Sequence, residues 1–289
     1  MYEGPWVKGE QMGYGKYYDE DGVLRYIGEW EDGKTHGIGV YYYENGEKMY
    51  EGGRQNGKRH GKGKYYSNKG VLQYDGDWTN NGRDGSGIQY RDDGSKFYEG
   101  EWQNDTIHGA GKKFYSEGVV AYEGDFQNGR FHGKGLYFTK TGQLDYDCEY
   151  ENGDRNGFGK EFHNNGQLMY VGYWKSNEKE GKGKFYYDNF GNVLCYEGEY
   201  QQSRRNGFGI HYYNNGSRCY EGDWHEGERH GYGCYYDSQG NKLMEGNWYN
   251  GLFSKAGTYT YENGNSRYEG DWNNDAANGN GKEFYESGK

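Results

Sequence analysis

Large side chains alternate with small or acidic ones along short segments of this chain. Residues 122–126, with the sequence YEGDF, are large, acidic, small, acidic and large in turn, a period of two that predicts a β-strand. Asn128-Gly129 then offers turn chemistry, Leu136-Tyr137-Phe138 is a second predicted short strand, and Thr141-Gly142 predicts the next turn. Two strands joined by tight glycine turns predict an antiparallel β-hairpin.

This hairpin pattern repeats along the whole chain. The opening Tyr-Glu-Gly has an equivalent every 24 residues, except for one step of 26 from Tyr170 to Tyr196, where two extra residues fall near Asp188-Asn189-Phe190. Residues 1–289 are therefore predicted to be one domain, an array of twelve hairpins with no visible linker. The repeats start near residues 2, 26, 50, 74, 98, 122, 146, 170, 196, 220, 244 and 268.

Two glycines recur at fixed places in every repeat. One ends the central Gly-x-Gly, and the other lies in the turn that follows the second strand, from Gly22 to Gly288. A glycine held at one place in every copy indicates positive φ or the close approach of another group. We expect the turn glycine to supply positive φ and the central glycine to leave space for an aromatic ring from a neighbouring strand. The central glycines are Gly15, Gly39, Gly63, Gly87, Gly111, Gly135, Gly159, Gly183, Gly209, Gly233, Gly257 and Gly281.

A further aromatic slot lies four residues after the start of each repeat and holds all eight tryptophans. This slot shares strand parity with the opening tyrosine, so the rings are predicted to stack repeat on repeat as an aromatic ladder on one face. We interpret the ladder mainly as core, with Arg54 as its single exception. The ladder residues are Trp6, Trp30, Trp78, Trp102, Phe126, Tyr150, Trp174, Tyr200, Trp224, Trp248 and Trp272.

The composition constrains the class of protein. Hydrophobic residues make up only 31% of the chain and the mean hydropathy is −1.37, values typical of disorder, yet 19% of the residues are aromatic and these are periodic. Many ordered rings with little aliphatic material suit a thin sheet better than a thick globular core.

The charges follow the repeat as well. The net charge of −11, from 34 basic and 45 acidic residues, disfavours bulk binding to nucleic acid or anionic lipid without excluding a local basic patch. The second position of the repeat is acidic in ten of twelve copies, and the residue after the central glycine is lysine in six. These charges are expected to pair across the hairpin on a solvated face.

The four cysteines contain no CxxC pair, and Cys195 and Cys219, one repeat apart, are predicted to be too distant for a disulfide. We interpret all four as reduced thiols. The sequence shows no signal peptide and no apolar run of membrane-spanning length, so a cytoplasmic location is predicted.

Residues 26–30 (YIGEW), followed by Asp32-Gly33 and by residues 36–39 (HGIG), resemble the MORN repeat, as do residues 220–224 and 229–233. The resemblance covers essentially the whole chain, with a period of 24 that is slightly longer than usual for the family. It implies an all-β fold, an elongated, twisted, single-layer antiparallel sheet of about twelve hairpins (a repeat solenoid) with a groove. It also implies roles in membrane–cytoskeleton junctions, ciliary assemblies and protein scaffolding.

Five histidines share one slot of the repeat, and Asn156, Asn206 and Asn278 replace histidine in three other copies. Adjacent copies are expected to lie roughly 10 Å apart, too far for one metal ion, so the slot is interpreted as a turn residue that hydrogen-bonds the backbone. No Ser-His-Asp or Cys-His arrangement is supported. We therefore predict no catalytic residue, cofactor or metal, and no enzyme activity. The histidines are His36, His60, His108, His132 and His230.

Breaks in the repeat pattern are the candidate partner-binding positions. Ile107, Phe131 and Leu252-Phe253 place apolar side chains on the loops before the histidine slot, where most repeats have charged residues. Phe190 lies in the two-residue insertion, and Arg54 opens the ladder near the N-terminal end. Local packing over the neighbouring loop explains the apolar residues equally well.

The leading interpretation is a non-catalytic protein-binding scaffold in a cytoskeletal or ciliary assembly, which holds helical or extended segments of partner proteins in a groove or on loop edges. End-to-end or edge self-association is also consistent with the array. The alternatives are a membrane adaptor for phosphoinositide, motivated by Lys58-Arg59 and Arg204-Arg205 but opposed by the net charge, and the regulatory arm of a larger enzyme. Nucleic acid is not an expected partner.

Overall fold

The computed structural model describes residues 1–188 and 190–288, and these residues form β-strands and turns but no helix. Asn189 of the predicted insertion lies outside the described residues, as does Lys289. None of the described residues belongs to a helix that could span a membrane. The chain packs as two compact units, Met1–Gly142 and Gln143–Lys289.

The first unit contains fourteen strands, twelve of which form an antiparallel meander. They are β1 (Tyr2–Glu3), β2 (Trp6–Val7), β3 (Glu10–Gln11), β4 (Gly13–Tyr18), β5 (Leu24–Glu31), β6 (Lys34–Tyr42), β7 (Lys48–Gln55), β8 (Lys58–Tyr66), β9 (Leu72–Thr79), β10 (Gly82–Tyr90), β11 (Lys96–Gln103), β12 (Thr106–Phe114), β13 (Val120–Gln127) and β14 (Arg130–Phe138). Strand β1 pairs with β4, and from β4 to β14 each strand pairs with its sequence neighbour within the unit. Strands β2 and β3 form a separate short hairpin.

The second unit is an antiparallel meander of twelve strands, each paired with the next along the chain. They are β15 (Leu144–Glu151), β16 (Asp154–Phe162), β17 (Leu168–Lys175), β18 (Glu178–Tyr186), β19 (Leu194–Gln201), β20 (Arg204–Tyr212), β21 (Arg218–His225), β22 (Glu228–Tyr236), β23 (Lys242–Tyr249), β24 (Leu252–Thr260), β25 (Ser266–Asn273) and β26 (Ala276–Glu283). The predicted all-β array of hairpins is confirmed in both units.

Each hairpin turns on two residues with positive φ, the geometry of a type I′ turn. Between β5 and β6 these residues are Asp32 and Gly33, with φ of 45° and 71°. Asparagine, aspartate and glycine suit such positions because they tolerate the left-handed region best. The glycines of the connecting turns also have the predicted positive φ, as at Gly46 with 84°.

A β-bulge recurs within the hairpins, and an acidic side chain accepts a hydrogen bond from the backbone of the bulge. In the second repeat the register shifts between Gly28 and Glu29. The backbone N–H of Ile38 donates to the Glu29 carboxylate at 3.0 Å, and the N–H of Ser86 donates to Asp77 at 2.9 Å. The acidic residue at the fourth position of the repeat therefore satisfies a donor that the bulge leaves unpaired, a role that strand alternation alone does not indicate.

The core lies on the face that carries the opening tyrosines and the ladder residues, which we call the ring face. The Tyr74 ring meets Trp78 of its own repeat at 5.1 Å and Trp102 of the next repeat at 5.5 Å, both edge to face. Such contacts add to the free energy of burying ring surface. The ladder is confirmed as core from Trp30 to Trp248, whereas Trp6 is exposed and Trp272 is half-buried.

The central glycines make room for the opening tyrosine of their own repeat. A Cβ at Gly87 would lie 2.2 Å from the hydroxyl oxygen of Tyr74. The prediction that an aromatic ring from a neighbouring strand fills this space is thus confirmed, and the ring is that of the opening tyrosine. The seventh repeat differs because the Sγ of Cys148 lies over Gly159 in place of a ring.

Candidate functional site

The residue before the histidine slot lies on the second strand of each hairpin. Ile107 is the second residue of β12, Phe131 of β14 and Phe253 of β24, and Leu252 begins β24. The loop placement expected for these apolar residues is therefore wrong. Strand pairing continues to within one residue of the two-residue turn, because type I′ turns match the twist of the flanking strands.

Phe253 is a core residue. Its side chain is 0% exposed, and its ring meets Trp248 at 5.0 Å and Trp272 at 5.1 Å. It also lies over Gly257, where most other repeats place their opening tyrosine, because Met244 opens this repeat and supplies no ring. The expectation that Phe253 is an exposed partner contact is wrong, since the fold itself uses the ring.

The other apolar candidates divide by exposure. Phe131 is half-buried and stacks on Tyr122 with ring centres 3.8 Å apart, and Ile107 is also half-buried. Leu252 is 39% exposed, and Phe190 is exposed with its ring 5.9 Å from that of Tyr187. Leu252 and Phe190 are therefore the accessible members of the predicted set.

Arg54 fills the gap in the ladder. Its guanidinium carbon lies 4.5 Å from the centre of the Tyr41 ring, and the group donates to Thr35 Oγ1 and Tyr41 Oη, each at 3.3 Å. It also donates to the carbonyl oxygen of Gly57. The ladder is thus closed by a cation–π contact where an opening was expected.

Guanidinium groups cover the ladder rings. The Arg59 Cζ lies 4.1 Å from the centre of the Trp78 ring, and the Arg83 Cζ lies 3.9 Å from that of Trp102. Burial lowers the pKa of Arg59 from its usual value. Stacks of this kind contribute about 0.5–2 kcal/mol each. The ring face therefore presents cations above an aromatic core, although the chain as a whole is acidic.

The opposite face of the sheet carries the second and fourth positions of the repeat, and we call it the acidic face. Lys112 pairs with Glu123 at 3.0 Å and Lys184 pairs with Glu197 at 2.6 Å. Both pairs join adjacent hairpins, whereas Lys160 pairs with Asp147 at 3.4 Å across one hairpin, as expected. Exposed pairs contribute little each, so they describe a solvated surface rather than a site.

Four aromatic side chains interrupt the acidic face in the second unit. Phe158, Tyr173, Phe208 and Tyr232 are 47–55% exposed. Phe158, Phe208 and Tyr232 are the middle residues of Gly-x-Gly, and Tyr173 replaces the acidic residue of the fourth position. Sequence reasoning missed them, yet parity could have found them, because the middle residue of Gly-x-Gly has the parity opposite to the ladder.

Three of these rings, those of Phe158, Tyr173 and Phe208, border a groove of about 490 Å³. Phe158 and Tyr173 form one wall and touch edge to face at 5.5 Å, while Phe208 and Ile210 form the other wall. Backbone of glycines such as Gly183 lies between the walls, with Lys182 and Glu199 also on the lining. This apolar groove with charged margins is the candidate functional site.

Two members of the histidine slot contact side chains, where contacts to the backbone were expected. His36 Nδ1 lies 2.9 Å from the Glu31 carboxylate, and Asn206 donates to Gln201 Oε1 at 3.0 Å. The Nδ1 atoms of His60, His132 and His230 have no hydrogen-bond partner within residues 1–188 and 190–288. No group of three or more potential metal ligands occurs among the described residues.

The cysteines are free thiols. Burial raises the pKa of the Cys148 thiol to about 12, so this thiol stays protonated at neutral pH. A protonated, buried thiol is a poor nucleophile. Cys148 therefore serves packing over Gly159.

Solved structures and curated proteins add little to this picture. No curated protein matches the chain. The chain is similar to the TcdB2-TccC3 structure at 12% identity and a TM-score of 0.18, covering 89% of this chain and 18% of that chain. It is also similar to the Photorhabdus luminescens Tc holotoxin pore at 13% identity and a TM-score of 0.18, covering 93% of this chain and 17% of that chain. This chain thus spans under a fifth of those proteins.

The family comparison is specific. The model of the MORN repeat matches twelve consecutive segments, in the same phase as the hairpins described above. The matched residues are 2–23, 26–48, 50–71, 74–96, 98–120, 122–143, 146–167, 170–191, 196–218, 220–242, 245–266 and 268–289. The chain therefore belongs to the MORN repeat family.

Proposed function

We propose that this protein is a non-catalytic protein-binding scaffold whose binding site is the groove on the acidic face of the second unit. The observation that carries the proposal is the set of three exposed rings around that groove, those of Phe158, Tyr173 and Phe208. Exposed aromatic clusters with polar margins are typical of protein contact sites, because rings give a large apolar area at low cost in side-chain entropy.

The equivalent positions in the first unit support, by contrast, the assignment of this groove as the binding site. There the middle residue of Gly-x-Gly is Lys62, Ser86, Ala110 or Lys134 in four repeats and Tyr14 or Ile38 in the other two. Lys62 is held in an ion pair with Asp77 at 2.8 Å. A polar or small side chain suffices for folding at this position. The rings in the second unit are therefore not required by the hairpin and are available to a partner.

The groove suits an apolar helical or extended segment of a partner protein. The family resemblance supports a place in a cytoskeletal or ciliary assembly of the cytoplasm, and this is part of the proposal. A phosphoinositide adaptor has less support, because Arg59 and Arg205 of the two basic pairs are stacked on rings, and Arg204 is 3.6 Å from the Glu226 carboxylate.

The double variant Tyr173→Ser with Phe208→Ser is expected to lose its partner proteins while the fold remains intact. The protein would be captured from native cells at moderate salt, and the co-purified proteins quantified by mass spectrometry. If each ring contributes about 2 kcal/mol of binding free energy, recovery of the specific partners should fall more than about tenfold.

Ile38→Ser is the matched control, because Ile38 occupies the same slot in the first unit and is 62% exposed. This variant should recover the same partners as the unmodified protein. Retention of the full partner set by the double variant would remove the groove from the proposal.

A further inference from the structure

Three arginines over the ring face, Arg59, Arg83 and Arg155, have a polar partner in the turn of the next hairpin. The Nε of Arg83 donates to Asp105 Oδ1 at 3.1 Å, and the Nε of Arg155 donates to Asn177 Oδ1 at 3.4 Å. Asp105 and Asn177 are the second residues of their type I′ turns. Each turn thereby ties down the guanidinium of the preceding hairpin.

Arg205 and Arg229 lack this partner. The corresponding turn residues are Gly227 and Gly251, which have no side chain to accept a hydrogen bond. In the part of the chain that the structure describes, neither guanidinium makes a side-chain hydrogen bond or an ion pair. Their Cζ atoms lie over the rings of Trp224 and Trp248, both at 4.3 Å.

His211 lies within the electrostatic reach of both arginines. Burial, and then the charges of Arg205 and Arg229, lower the pKa of His211 to about 4. The Nε2 of His211 is 3.5 Å from the hydroxyl oxygen of Tyr187, which is neutral at physiological pH. Two uncompensated cations therefore flank a neutral histidine on adjacent hairpins of the ring face.

We infer that Arg205, His211 and Arg229 bind a dianionic phosphate group carried by a protein partner. Stacking occupies the faces of the two guanidiniums and leaves their N–H edges free, and those edges match phosphate oxygens in a bidentate geometry. Arginines at the same slot of adjacent hairpins are roughly 9–10 Å apart at the backbone, a gap that two long side chains can close around one group. A dianion balances the two positive charges.

The surroundings favour a protein over a bilayer as the carrier. Arg205 and Arg229 are half-buried on strands, whereas Glu226 and Glu228, at the adjacent turn, are exposed. An anionic membrane surface would meet these carboxylates before it reached the arginines. A phosphorylated side chain on an extended segment can reach the arginines alone. The inference rests on the proposed function in that the carrier is a protein.

Titration with inorganic phosphate at pH 7.5 and constant ionic strength tests the site. The readout is the NMR signal of the His211 Cε1–H group, assigned with His211→Gln. A saturable shift is expected in the unmodified protein, with roughly tenfold weaker binding in Arg205→Gln and Arg229→Gln.

Gly227→Asp gives a test that keeps both arginines. The position has open space around it and a φ of 93°, and aspartate stands at the equivalent Asp105 with φ of 62°. The new carboxylate should engage Arg205 as Asp105 engages Arg83, and phosphate binding should weaken by a similar factor. The inference is overturned if phosphate causes no saturable shift, or the same shift in Gly227→Asp.

A second experiment distinguishes a protein from a membrane as the carrier of the phosphate group. A degenerate phosphoserine peptide pool, its unphosphorylated copy, and phosphatidylcholine vesicles containing phosphoinositide are offered to the protein. Retention of phosphopeptides that is lost in Arg205→Gln with Arg229→Gln supports the inference, and capture of vesicles without phosphopeptides overturns it. The Tyr173 and Phe208 double variant should keep its phosphate titration, so failure of the groove and failure of this site are distinguishable.

Discussion

Gly87→Ala should destabilise the first unit by about 2–4 kcal/mol, because the packing around Gly87 leaves no space for the added methyl group. Its Cβ would lie 2.2 Å from the hydroxyl oxygen of Tyr74 and 2.4 Å from the ring carbon Cζ. Tyr74 is buried between Trp78 and Trp102, so its ring cannot move aside without giving up both edge-to-face contacts. The loss should centre on strands β9 to β12.

Hydrogen exchange resolved by peptide measures this effect, since a repeat array loses stability locally. Gly94→Ala is the matched control: it has φ of 82° and open space, so only the backbone cost of about 1 kcal/mol is expected. In a Tyr74→Ala background, Gly87→Ala should cost much less, since the two changes share one space. Unchanged protection in Gly87→Ala alone would contradict the assigned role of the central glycine.

Phe253→Ala should cost about 3–5 kcal/mol in the second unit, the usual range for deleting a fully buried ring. The adjacent Leu252→Ala should change stability by less than about 1 kcal/mol, because Leu252 is partly exposed. Urea unfolding followed by tryptophan fluorescence reports the difference, and hydrogen exchange should place it in β23 to β25.

Phe253→Ala and Leu252→Ala together distinguish a core role of Phe253 from a role in partner binding. If Phe253 were a partner contact, Phe253→Ala would keep wild-type stability and lose co-purified proteins. The structure leads us to expect the reverse, with unfolding of the eleventh repeat as the primary effect. Leu252→Ala then remains the informative variant for partner binding at this edge.

The fold could be predicted from the sequence because its determinants are local and repeated. Alternation over residues 122–126 specifies a strand, positive-φ residues such as Asn128-Gly129 specify the turn, and twelve copies remove ambiguity. The ladder followed from strand parity. Each of these features depends on residues close together in the chain.

The site could not be predicted in the same way, because it depends on contacts between repeats. Phe253 looks like a loop residue until the register places it over Gly257, where it replaces a tyrosine ring that Met244 does not supply. In the sequence, Arg205 is only one residue of a basic pair. The structure of the next hairpin is needed to show that Gly227, in its turn, offers Arg205 no side-chain acceptor. Phe208 was visible in the sequence, but its significance required knowing which face was already filled by rings.

The pairing of every strand in the second unit with its sequence neighbours has a mechanical consequence. Tension applied to the two ends of that unit would open one strand pair at a time, as a zipper opens, instead of loading all pairs together. Each 24-residue repeat that opens would release roughly 70–80 Å of chain. We expect optical-tweezer traces to show successive steps of that size at low force, and a single rupture of the whole unit would contradict this. Such a unit would act as an extensible tether, yielding under load while its remaining hairpins keep hold of a partner.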